Sequence, residues 1–158
     1  MFQLILGLFV GVVPGVADPP VPNTEARSVF ERIDVLKPVP EAATDSPLRK
    51  LQKERFNARL GVVKLQLASV RAGAGPRLDL TVQVDRMAVN GADLEEKPAD
   101  RVKWLQLRLD ALREQEKLAK AQADNGRIFE RDALQITAAR ADAEIDLLLL
   151  TEMLKEKK

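Results

Sequence analysis

Two long runs of helical periodicity, parted by one Asn-Gly pair, constrain this chain more than any other feature of it. From about Pro98 to Asp124, Val102, Leu105, Leu109, Leu112, Ala119 and Ala123 recur at alternating spacings of three and four, with Glu116 as the one break. From about Glu130 to Lys157, Phe129, Ala133, Ile136, Ala143, Leu147, Leu150 and Leu154 keep the same rhythm. Such spacing gathers apolar side chains into one stripe along a helix. At ~1.5 Å per residue the first run makes a helix of roughly 40 Å. Asn125 and Gly126 between the runs are the residues of a helix C-cap that lets the chain reverse. The two stripes are then expected to bury each other as a hairpin.

An earlier stretch has a related layout. Ser46 followed by Pro47 reads as an N-cap with proline at the first helical position. Phe56, Leu60, Val63, Leu67 and Val70 form a heptad-like seam, which ends at 71-RAGAGP-76. There Gly73 and Gly75 permit a left-handed cap and a tight turn. Residues 77–89 read two ways. Leu78, Leu80, Val82 and Val84 alternate with polar residues, as in a strand, while Leu80, Val84 and Met87 also share one helix face. A solitary strand would leave both edges unpaired, so helix is preferred, with 90-NG-91 expected to close it. Asp79 follows Gly73 by six residues, as Asp132 follows Gly126, and the second unit lies 53 residues after the first. This is a gapped internal repeat.

The N-terminal part differs in composition. Residues 1–17, MFQLILGLFVGVVPGVA, hold no charged side chain and end on the small-x-small pattern of a secretory cleavage site after Ala17. A basic n-region is missing, and an N-terminal anchor is the rival reading. Pro14 and three glycines interrupt the run, which is shorter than the ~20 residues of a spanning helix. Residues 18–46 are proline-rich and read as a semi-rigid linker. A short helix is expected inside it, capped by Asn23 or Thr24, with Val29, Ile33 and Leu36 on one face and Pro38 as its stop. Residues 47–158 form the helical-hairpin domain.

Composition removes several kinds of chemistry. Among 158 residues there is no His, Cys or Tyr. The commonest general base, the thiol nucleophile and disulfides are therefore absent. With 25 basic and 24 acidic residues, the net charge of +1 gives no electrostatic reason to bind nucleic acid. Ser28, Ser46 and Ser69 lack a His partner, and 73-GAG-75 lacks the ending of a phosphate loop. The acidic groups 93-DLEE-96 and Asp142, Glu144 and Asp146 do not match an EF-hand and read as solvated helix faces. No catalytic, cofactor or metal residue is expected. Trp104 reads as core before partner anchor. Leu147, Leu148, Leu149 and Leu150 point all around their helix. One side can pack in the hairpin, and the other needs a second contact: another helix of the chain, a neighbouring subunit or a lipid surface.

The stretch 118-LAKAQADNGRIFERDALQITAARADAEIDLLLL-150 resembles the periplasmic helical region of the outer-membrane efflux protein (TolC-like) family. In that family a long helix ends in a short Gly turn, an Asp follows, and an Ala-rich helix comes next. With the first copy included, the resemblance covers roughly residues 48–155. It implies an all-α fold of long antiparallel amphipathic helices in coiled-coil-like hairpins, an up-down bundle. It also implies a location in the periplasm or cell envelope, and a role in transport through helix–helix contacts with its own copies or with efflux components. The chain departs from the family in lacking the alternating strands of a β-barrel. Any membrane contact is expected only through an uncleaved leader. The alternative is an exported structural or adaptor coiled coil unrelated to transport.

Overall fold

A computed structural model describes residues 29–156, which form five helices and no strand. These are α1 (Val29–Asp34), α2 (Pro47–Arg71), α3 (Arg77–Asp93), α4 (Pro98–Asp124) and α5 (Glu130–Glu156). The leader, the Asn23 and Thr24 caps, Lys157 and Lys158 lie outside the described residues. The architecture is an all-α bundle. Each long helix packs on its chain neighbour, α2 on α3, α3 on α4 and α4 on α5, while α1 touches α2 and α4. α2 and α5 do not touch each other.

The helix ends follow local chemistry. Ser46 caps α2, its hydroxyl accepting from the Arg49 N–H at 3.2 Å, and Pro47 opens the helix. Pro98 opens α4 in the same way. At the far ends, Gly73 (φ 74°) and Gly126 (φ 65°) both adopt the left-handed conformation. The hydrogen bonds also match. Gly73 N–H donates to Val70 and Ala74 N–H to Ser69, while Gly126 N–H donates to Ala123 and Arg127 N–H to Gln122. Every one of these positions is displaced by the same 53 residues, so the repeat is a repeated Schellman turn. Asn125 adds a side-chain bond to the Ala121 carbonyl at 2.6 Å.

Gly75 lies in the same turn between α2 and α3, and its φ is not positive. Its role there is close approach: a Cβ would sit 2.9 Å from the Ser69 hydroxyl. The pair 90-NG-91, expected to close a helix, does not do so, since α3 runs on to Asp93 and both residues are buried inside it. A Cβ on Gly91 would meet the Trp104 indole at 2.4 Å, so the glycine lets α3 and α4 come together there.

The main core joins Ile33, Phe56, Leu60, Val84, Met87 and Trp104 across α1 to α4. Phe56 and Trp104 meet edge to face, with ring centres 5.3 Å apart. Residues 77–89 are helical, and Leu80, Val84 and Met87 face this core. The expected α4 stripe is buried at Leu109, Leu112 and Ala119, and a second apolar face lies beside it. Trp104, Leu107 and Ala111 enter the main core, and Leu109 and Leu112 face α5, leaving Val102 and Leu105 half-buried. Because α4 is sandwiched, it needs two apolar faces, and the single-stripe reading found the one towards α5.

The described end of the proline-rich stretch, residues 36–45, lies along α2. Lys53 donates to the Pro40 carbonyl and to Asp45, Asn57 exchanges two hydrogen bonds with the Val39 backbone, and Lys64 donates to the Leu36 carbonyl. These polar side chains, about one helical turn or two apart, grip an extended segment whose prolines cannot donate hydrogen bonds themselves. With the segment held there, α1 buries Ile33 completely.

Candidate interaction surfaces

The contact between α4 and α5 is thin and polar at its edges. Leu109, Leu112 and Ala143 are buried, with Ala139 and Leu147 packed against them. Around this strip, Arg108 donates to Asp146 at 2.7 Å, Arg113 to Glu144 at 3.0 Å and Arg140 to Glu116 at 3.3 Å. Glu116, the break in the sequence stripe, is the hub. It accepts from Thr137 at 2.9 Å and pairs with Lys120, the bond from Lys120 being first in holding its carboxyl below the ordinary range against partial burial. Alanines on the inner side of α5 let this helix lie close to α4, and the ion pairs hem the strip on both sides.

Trp104 belongs to the core and is only 7% exposed. Its indole N–H donates to Glu95 at 2.9 Å, and Lys103 both pairs with Glu95 and lies over the ring. Burial alone would push the Glu95 carboxyl up, but the bonds from Lys103 and Trp104 outweigh it and hold the carboxyl low. Beside the indole, between α1 and α4, is an open groove of about 390 Å³ lined by Arg32, Val35, Leu36, Gln106 and Leu107.

Several of the acidic residues noted in the sequence form ion pairs, and Glu96 is exposed. Asp93 pairs with Arg55, Glu144 with Arg113 and Arg140, and Asp146 with Arg108. Asp142 is exposed. Among the described residues, no group of three or more acidic side chains is placed to hold a metal ion.

The four leucines divide by face. Leu147 packs towards α4, and Leu150 lines a groove with Val89, Leu105 and Arg108. Leu148 and Leu149 stand in solvent, together with Leu134 and Ile145. Phe129, expected in the buried register, precedes α5 and is 76% exposed, because the turn at Gly126 carries it off the helix axis. A second bare face went unread in the sequence. On α2, Leu48, Leu51, Val62 and Leu65 are all exposed, on the side opposite Phe56 and Leu60. Their spacing was the available signal, but the stronger inward seam of the same helix masked it. Exposed apolar side chains gathered on one helix face commonly mark an interaction site.

No described helix is long and apolar enough to cross a membrane. In comparisons with known proteins, no family model, curated protein or solved structure matches this chain.

Proposed function

We propose that this chain is an exported helical protein that does no covalent chemistry and acts through helix–helix contacts, in the manner of the periplasmic hairpins of outer-membrane efflux channels. Its long helices are read as antiparallel coiled-coil hairpins, α2 with α3 and α4 with α5. The observation that carries this reading is the two-faced α5, which uses Leu147 inside the bundle and leaves Leu148 and Leu149 outside. An apolar face left in water favours a helical partner whose own stripe it can cover. The repeated Gly73 and Gly126 turns add the hairpin texture that the resemblance rests on. The alternative reading is an exported structural or adaptor coiled coil unrelated to transport, which the same bare face supports equally.

The deciding experiment replaces Leu148 with a photoreactive residue in the native cell and identifies what cross-links. Capture of an efflux component supports the transport role. Capture of other envelope proteins alone favours the adaptor role, and no protein capture at all sinks both. Sequencing the N-terminus of the isolated chain tests export, with Asp18 expected as the first residue.

A further inference from the structure

Two bare faces stand at opposite ends of the packing order, and their features are complementary. On α2 the outer stripe runs through Leu48, Leu51, Arg55, Ala58, Val62 and Leu65, at alternating spacings of three and four. On α5 it runs through Leu134, Ala138, Ala141, Ile145 and Leu148, with the same alternation. Charge differs in sign between them. α2 is strongly basic, with Glu54 its only acid, and its bases crowd towards its N-terminal half. α5 is acidic, with Arg131, Arg140 and Lys155 its only bases, and its acids crowd towards its C-terminal half from Asp142 onwards. Since α2 and α5 of one chain do not touch, neither stripe covers the other within the bundle.

We propose that the outer stripe of α2 is covered by the outer stripe of α5 from a second copy of this chain, the two helices running antiparallel. This deepens the helix-contact reading above and rests on it. Antiparallel pairing brings the basic half of α2, where Arg49, Lys50 and Arg59 form no ion pair among the described residues, to the acidic half of α5, where Asp142 and Glu152 form none, whereas Lys53, Arg55, Glu144 and Asp146 are paired within their own chain. Aligning the heptads sets Leu48 against Leu148, Leu51 against Ile145, Ala58 against Ala138 and Val62 against Leu134. Arg55 then falls opposite the small Ala141 and beside Asp142. Because the two patches differ, each copy offers both, and the contact closes into a dimer or a ring of copies.

The test uses two differently tagged full-length chains, one carrying Ala58→Cys and the other Ala138→Cys. The sequence has no cysteine of its own, so a disulfide reports only the introduced pair. Mild oxidation of the mixture is expected to link the two tags. Either variant alone stays unlinked, as does Ala58→Cys mixed with Lys117→Cys, which lies exposed on α4. Leu51→Asp and Leu148→Asp change exposed positions, and each is expected to weaken self-association at least tenfold with helix content unchanged. A chain that is monomeric at every concentration overturns the proposal, as does association without the 58–138 link, which would mean that residues 1–17 or another face does the covering. A monomer that still cross-links to an efflux component through Leu148 overturns self-pairing alone and leaves the proposed function standing.

Discussion

The two halves of the molecule share one turn and little else. At Gly73 and at Gly126 the backbone makes the same left-handed turn with the same pair of hydrogen bonds. Beyond the first turn, α3 is enclosed by α2 and α4 and buries Leu80, Val84, Met87 and Ala88 completely. Beyond the second, α5 has α4 as its sole neighbour among the described helices and, among the described residues, buries only Ala133 and Ala143. The difference teaches that turn chemistry is local, whereas the thickness of a core depends on how many neighbours a helix has. The first half is held by aromatic and aliphatic packing, and the second by a narrow strip of leucine and alanine framed with ion pairs.

That contrast can be broken most directly at Trp104. Trp104→Ala is expected to destabilise the fold by about 3–5 kcal/mol, since it empties the centre of the main core. Leu147→Ala in the second half should cost only about 1–2 kcal/mol, because its side chain is half wet before the change. Denaturant melts of both variants test the ordering, and equal losses would mean that the halves are equally packed. Next in size is Gly91→Ala, expected to cost about 1–3 kcal/mol by pressing a methyl into the indole. Trp104→Leu should absorb much of that loss, and a double-mutant cycle with additive effects would refute the close-approach account.

The shared turn gives a smaller and sharper comparison. Gly73→Ala and Gly126→Ala each force a Cβ into the left-handed region and should cost about 1–2 kcal/mol. Neither site has a neighbour within 4 Å of the new Cβ, so the two losses are expected to be alike. A large inequality in thermal melts would show that the halves differ in the turns themselves. The smallest effect is electrostatic. Glu116 has a folded pKa below its ordinary 4.5, so it stabilises the native state above that pH and loses this contribution as pH falls through the folded value. A melting temperature followed from pH 7 to pH 3 should therefore decline below about 4.5, and Glu116→Gln should make the decline shallower. An unchanged slope would remove Glu116 from its place as the hub of the α4–α5 contact.

Much of this molecule was legible residue by residue. Ser46 and Pro47, the seam from Phe56 to Leu67, and the turns at Gly73 and Gly126 are short-range features, governed by side chains within a turn of one another. The helical preference for residues 77–89 rested on the absence of any partner strand, and α3 is a helix. The interaction surfaces were only half legible. Leu147 to Leu150 advertised two faces, but which leucines point outward depended on how α5 sits against α4. The outer stripe of α2 was overlooked because the inward stripe accounted for the helix on its own.

Local chemistry in the sequence settled where helices start and stop and which of their faces are apolar, because capping, φ preference and 3.6-residue spacing act within a few residues. Only the tertiary structure decided that Asn90 and Gly91 form a crossing point and not an end, since the reason is an indole 13 residues away from Gly91 in sequence. It alone placed residues 36–45 along α2, through Lys53, Asn57 and Lys64. It also left α2 and α5 as the two outer helices, each with a bare stripe. Those outcomes depend on which surfaces meet in space, and periodicity along a chain carries no information about what arrives on the other side.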